Sequence, residues 1–294
     1  MEYLEFLDSL SDYINETATD VRVSVHKAVK NNGVKLYGLS FIREGYNASP
    51  TVYMENYYED YLGGRDVNEI GDSLLALYHE NDLSVKLNIS FFDSFESVKD
   101  RLFIKLINKA KNEEYLKGSP HKDFLDLAIV PYVRVYDKKI GNGLIMVKNE
   151  HLKLWKTDAV TVLEAAAKNT HDQDDFNIRH IIDVLRTMGT NLPFGQEDQD
   201  SFPMYVATNG RMTNGAAVLT MKDKLKEFAQ IIGGDYYIIP SSVHELILLG
   251  KGNENSSQEI DTMIREVNRT QLGPDDVLSD HVYEYRECDE VLIF

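Results

Sequence analysis

A chain of 294 residues with 43% hydrophobic and 10% aromatic side chains can bury a sizeable core, as one large domain or two lobes, which excludes disorder of the whole chain. Its 31 basic and 48 acidic residues leave a net charge of −17, of which residues 171–294 carry −12 (10 basic, 22 acidic) and residues 1–170 carry −5 (21 basic, 26 acidic). So acidic a surface repels phosphates, which argues against direct nucleic-acid binding, and a single cysteine, Cys288, rules out an intrachain disulfide or a cysteine-built metal cage.

The opening MEYLEFLDSLSDYINE lacks the basic start and apolar core of a signal peptide, and no apolar run approaches the length that spans a bilayer. A cytoplasmic protein without membrane partners is expected. Leu4, Leu7, Leu10 and Ile14 recur at helical intervals and predict an amphipathic helix. Val21, Val23 and Val25 then alternate with polar residues. Asn32-Gly33, two residues that tolerate positive φ, predicts a hairpin whose second strand runs from Val34 to Ile42. Thr51–Met54 reads as a third strand, and NYYEDYLGG as a short helix stopped by Gly63-Gly64. Asp66 is placed to cap a helix with Val67, Ile70, Leu74 and Leu77 on one face.

The segment Arg101–Ile107 fits either helical spacing or a strand followed by a loop; the strand is the reading adopted. Leu125–Tyr136 predicts a strand in which Pro131 marks an edge or a bulge, because proline cannot donate to the ladder. Gly141–Gly143 turns the chain back along Leu144–Val147. Thr157–Lys168 and Phe176–Met188 read as helices, the second burying Ile178, Ile181, Ile182 and Leu185. The stretch 189–203, rich in Gly, Pro and acids, reads as a linker between an N-terminal lobe (1–190) and a C-terminal lobe (203–294). Beyond it, Met204–Thr208 and Ala216–Thr220 predict strands. Lys222–Ile232 and Ser257–Gln271 predict helices, ended by Gly233-Gly234 and by Gly273-Pro274. His281–Tyr285 and Val291–Phe294 predict closing strands. The fold class expected is α+β, with mixed or antiparallel sheets and packed helices.

Nucleophile, base and acid types crowd together only in DYYIIPSSVHELILL (235–249), where Ser241, Ser242, His244 and Glu245 follow a proline between two apolar runs. As chemistry, Ser241 or Ser242 is a nucleophile and His244 its base, in a hydrolase or transferase. As structure, Ser242 and Glu245 have capping-box spacing, and no G-x-S-x-G elbow presents the serine. The structural reading is favoured. Arg269, Asp280 and His281 form a second candidate group for ligand binding: Asp280 can orient His281 or His244, and an arginine can hold a carboxylate or phosphate with two bonds. The bland reading is a Ser279-Asp280 turn bonding its own backbone. His171-Asp172 with Asp174 and Asp175 suits a hard cation by composition but lacks calcium-loop spacing, and reads as a solvated loop whose Asp175 or Asn177 caps the next helix. His121 and Asp126 lack ligand spacing. Trp155 reads as a core anchor, and YMENYYEDY as packing on one side and exposure on the other. Metalloprotease, P-loop, Rossmann and zinc-finger signatures are all missing from the sequence, and no metal or cofactor is expected.

The ordered blocks NNGVKLYGLSF, ASPTVYMENYYEDYLGG, PHKDFLDLAIV, IIPSSVHELILL and VNRTQLGPDDVLSDHVYEY resemble an uncharacterised domain family frequent in clostridial, gut-dwelling Firmicutes. From Leu125 onward the arrangement is also distantly similar to the YtpQ-like uncharacterised family. The resemblance implies a bacterial cytoplasmic protein and brings no catalytic residue, substrate or cofactor with it. The favoured function is a non-enzymatic binding or regulatory module with an acidic surface, acting through a protein or small-ligand partner.

Overall fold

The computed structural model of the chain describes all residues except 82–85, 139–140, 188–203, 241, 252–256, 289–290 and 294. The fold is α+β with three sheets. Two compact units are present, Met1–Phe91 with Tyr136–Gly143, and Phe92–Val135 with Leu144–Phe294.

In the first unit, helix α1 (Tyr3–Thr17) precedes strands β1 (Arg22–Val29), β2 (Lys35–Ile42) and β3 (Thr51–Tyr53), followed by helices α2 (Glu55–Leu62) and α3 (Val67–Glu80). The three strands form an antiparallel sheet in the order β1-β2-β3. The expected hairpin is present, closed by a three-residue loop: the Lys30 N–H donates to the Val34 carbonyl at 2.8 Å, and Asn32 and Gly33 take φ of 59° and 69°. Helical spacing puts Phe6, Leu7, Leu10 and Ile14 inside, where they share one core with Val23, Leu39, Phe41, Ile70 and Leu74. Each such side chain contributes about 2 kcal/mol when fully buried. Leu4 stays outside at 54% exposure. The Asp66 carboxylate caps α3 by accepting the Asn68 N–H at 2.8 Å. Leu77, expected on the inner face of α3, is exposed; Leu75 and Tyr78 are buried instead, and Tyr78 stacks on Phe41. Tyr57, Tyr58 and Tyr61 of the tyrosine-rich helix pack against this core.

The second unit opens with α4 (Phe95–Val98), β4 (Leu102–Asn108), α5 (Glu113–Lys117), β5 (Lys122–Phe124) and β6 (Leu127–Asp137). Then come β7 (Gly141–Met146), α6 (Asn149–Trp155), α7 (Ala159–Gln173), β8 (Phe176–His180), α8 (Ile181–Thr187) and β9 (Met204–Asn209). The chain continues through a 3-10 helix at Gly215–Thr220 to α9 (Lys222–Ile232), β10 (Tyr236–Ile239), β11 (Leu246–Gly250), α10 (Ser257–Thr270), β12 (Tyr283–Arg286) and β13 (Val291–Ile293). One sheet runs β4-β6-β5 with β7 also on β6; the other runs β13-β12-β10-β11-β9-β8.

Several expectations are corrected here. Pro131 is neither on an edge strand nor in a bulge: β6 lies between β4 and β5, and Ile104 is its register partner. The Pro131 carbonyl accepts the Val147 N–H at 3.2 Å, on the side where β5 has ended at Ile129, so the missing donor falls at the change of neighbour strand. Phe176–Met188 is not one helix. Its first five residues are β8, paired antiparallel with β9 from Phe176↔Asn209 to His180↔Tyr205, and Ile181–Thr187 is helical. Ala216–Thr220 is a buried 3-10 helix rather than a strand. The stretch 189–203, expected as linker and lobe boundary, lies outside the described residues, and the strands nearest to it on either side, β8 and β9, are neighbours in one sheet. Trp155 is buried as expected and donates its indole N–H to the Phe92 carbonyl at 2.7 Å.

Candidate functional site

The residues 240–245 connect β10 to β11, and no helix follows them, so the capping-box reading of Ser242 and Glu245 is corrected to a strand-to-strand turn. The Ser242 N–H donates to the Glu245 carbonyl at 3.2 Å, and the Ser242 hydroxyl oxygen accepts the His244 backbone N–H at 3.0 Å. Ser242 is buried and Glu245 half-buried; Ser241 lies outside the described residues.

Three segments hold this turn. Asn214 donates its backbone N–H to His244 Nδ1 at 3.1 Å, which leaves the ring proton on Nε2, 3.2 Å from Asp276 Oδ1. The His244 carbonyl accepts the Gly215 N–H at 3.0 Å and the Thr208 hydroxyl at 2.9 Å. The Val243 N–H donates to the Asp276 carbonyl at 2.9 Å. Glycine is required at 215 by close approach: a Cβ there would stand 2.4 Å from both the His244 carbonyl oxygen and Thr208 Oγ1.

A serine nucleophile needs its hydroxyl aimed at an imidazole nitrogen that can take the proton. Here Nδ1 already accepts a backbone N–H, Nε2 faces a carboxylate, and the Ser242 oxygen serves the histidine's main chain. Ser242 and His244 are thus joined through the histidine's main chain, while the two ring nitrogens meet Asn214 and Asp276.

Two neighbours of this turn escaped sequence reasoning. Lys105 stands alone in the apolar run of β4; burial pushes its ammonium pKa down, against the pull of Asp276 and then Asp275. A lysine inside RLFIKLI was the signal. Asn214, at φ 55°, is 3% exposed, and its side-chain nitrogen is buried without a hydrogen-bond partner.

The second candidate group is split. Asp280 accepts from the Asn268 amide at 2.8 Å and from Lys111 at 3.3 Å, while His281 Nδ1 lies 3.8 Å from Asp261. Burial would raise the Asp280 carboxyl, but Asn268 and Lys111 outweigh it and hold the pKa below its ordinary value. The carboxylate facing His244 is Asp276, not Asp280. Arg269 is exposed in the last turn of α10. The Ser279 oxygen accepts the His281 N–H at 3.1 Å, the local bond expected of a turn, and its hydroxyl donates to Asp126 at 2.6 Å. Asp126 also accepts from the Tyr283 hydroxyl at 2.6 Å, and burial followed by this carboxylate pushes the Tyr283 pKa up. His121 turns elsewhere, its Nδ1 2.9 Å from the Ser119 carbonyl.

A buried ion pair also went unread in the sequence. The Arg134 guanidinium donates to both Asp174 oxygens at 2.7 Å and lies 3.4 Å from the Phe103 ring centroid. Asp174 thus belongs to the core, and His171, expected in a solvated loop, sits in the last turn of α7 with Nε2 2.8 Å from Asp223. Neither Asp175 nor Asn177 caps a helix, because β8 follows. Among the described residues, no three His, Cys, Asp or Glu side chains are grouped to hold a metal ion, and no helix is long and apolar enough to cross a membrane.

Fold and site define an α+β protein in which Ser242, His244 and Asp276 are hydrogen-bonded around the turn from β10 to β11. The chain belongs to a family of unknown function, DUF5688, whose model matches residues 3–287. No curated protein and no solved structure matches it.

Proposed function

We propose that the protein is a non-enzymatic binding or regulatory module, working in a bacterial cytoplasm through a protein or small-ligand partner. The resemblance to a clostridial family supports the setting. The wiring of His244 supports the absence of serine chemistry: one ring nitrogen accepts from Asn214 and the other faces Asp276. A serine-reactive fluorophosphonate tests the reading. No labelling is expected in the native protein. Labelling that disappears in Ser241→Ala or Ser242→Ala would overturn it in favour of a hydrolase or transferase built on Ser241, Ser242, His244 and Glu245.

A second reading rests on Lys105. An amine pushed toward its neutral form beside Asp276 and Asp275 has the character of a general base or nucleophile. Trinitrobenzenesulfonate at neutral pH discriminates between the two: selective labelling lost in Lys105→Met favours amine chemistry, and labelling no faster than at surface lysines leaves the module reading in place.

A further inference from the structure

We propose that the outer edge of β1, from Val25 to Val29, is a docking edge that takes an acidic, extended peptide of a protein partner as an added strand. This deepens the binding-module reading and rests on it.

Register identifies which groups face outward. The Lys30 N–H donates to the Val34 carbonyl, so in the antiparallel ladder Lys30, Ala28, His26 and Ser24 spend their backbone groups on β2, while Val29, Lys27, Val25 and Val23 turn theirs away from it. The β2 partners agree: Tyr37 sends its N–H to Glu55 and accepts the Met54 N–H, and Phe41 donates to Pro50, all on the far side from β1. At Val23 the outward groups are already met. Asn15 of α1 accepts the Val23 N–H at 2.8 Å and donates to the Val23 carbonyl at 2.9 Å, two bonds that copy those of a neighbouring strand. Beyond that cap, among the described residues, no strand neighbours β1 on its outer side. Val25, His26, Lys27 and Val29 are all exposed.

Charge selects the occupant. Residues 21–43 hold five basic residues, Arg22, Lys27, Lys30, Lys35 and Arg43, and no acidic one, in a chain whose net charge is −17. Edge lysines discourage two copies from pairing edge to edge, because like charges would face each other. The same lysines attract a strand bearing Asp or Glu, with backbone bonds supplying affinity and alternate side chains register.

A fluorescein-labelled peptide of five Val-Glu repeats, read by anisotropy against the full chain, tests this. Binding that weakens with salt is expected. Val25→Pro and Val29→Pro should each weaken it at least tenfold while leaving the circular dichroism unchanged, since each removes only an outward N–H. His26→Pro, which interrupts the β2 ladder, is the control for lost fold. Lys27→Glu with Lys30→Glu should shift the preference to a peptide of five Val-Lys repeats. The proposal is overturned if the peptide does not bind, if the two outward proline variants bind as well as the native chain, or if oligothymidylate of equal charge competes equally. A dimer that dissociates in Val29→Pro would make a second copy the occupant and overturn it too. None of these failures touches the His244 wiring, so the module reading stands or falls separately by the phosphonate experiment.

Discussion

The turn at Ser242–Glu245 and the outer edge of β1 put the same kinds of polar group to opposite use. In the turn, the histidine ring, the serine oxygen and the main chain around them are spent on segments of the same unit. Along β1, the backbone groups of Val25, Lys27 and Val29 face away from the sheet, and among the described residues Val23 alone of the outward-facing four has partners supplied from within, Asn15 and Ser11. Residue types that suggest catalysis thus find hydrogen-bond partners within the fold in one region. In the other, residues with no catalytic suggestion carry unspent bonding capacity. Reactive-looking composition and available chemistry are different properties, because a buried polar group must be paired to be tolerated at all.

If the turn is a lock, breaking it must cost stability. Gly215→Ala drives a methyl group to 2.4 Å from the His244 carbonyl and the Thr208 hydroxyl, neither of which has a flexible way out. A loss of about 3 kcal/mol in urea unfolding is expected. His244→Ala removes the acceptor of the Asn214 N–H and the partner of Asp276, and should cost about 2 kcal/mol. A neutral or stabilising His244→Ala would mean that the histidine is held for something other than folding, and the contrast between the two regions would collapse.

Short-range signals made the β1–β2 hairpin legible. Alternation puts Val21 and Val23 inside, although Val25, next on the same face, is exposed, and Asn32-Gly33 fixes where the chain reverses. Ambiguity entered where apolar residues form runs. Phe176–Leu185 satisfies helical spacing, yet its first half becomes a strand because β9 supplies a ladder some thirty residues away. Ala216–Leu219 reads as a strand because a wholly buried run has no period to betray a 3-10 turn. Ser242 and Glu245 have the spacing of a helix cap, but LILLG beyond them is claimed by β9 and β10 on either side. At the site, Ser242, His244 and Glu245 could be named from composition. Their partners Asn214 and Asp276 could not, standing 30 and 32 positions from His244 with no local pattern tying them to it. The outward edge of β1 follows from hydrogen-bond parity, which a sequence does not display.

The edge of β1 allows the contrast to be sharpened from the other side. Asn15→Ala removes the amide that closes the edge at Val23, a residue 6% exposed, and leaves its N–H unmatched and its carbonyl with the Ser11 hydroxyl at 3.5 Å. A loss of about 1 kcal/mol in urea unfolding is expected, smaller than at the turn because one short bond pair goes rather than a steric fit. The same variant lengthens the open edge by one residue. The Val-Glu peptide should then bind at least as tightly as to the native chain, although the protein is less stable. Loss of stability together with loss of binding would show that Asn15 supports the edge rather than limiting it.

The smallest effect lies at His171, whose ring joins the end of α7 to the start of α9 through Asp223, with Asp172 on its other nitrogen. The Asp223 hydrogen bond, then that of Asp172, raises its pKa above the ordinary value. A group whose pKa is higher folded than unfolded contributes its full stabilisation below the unfolded value, about 6.5, and loses it as pH rises through the raised folded value. The pair is half exposed, so screening leaves only about 0.3 kcal/mol. Urea midpoints of the native chain and His171→Gln, compared at pH 5.5 and pH 8.5, should differ more at the lower pH. An equal difference at both would assign the contact to packing of the ring, and a larger one at pH 8.5 would contradict the charge pairing outright. Either result would mean that the contact His171 makes with Asp223 does not depend on the charge of its ring.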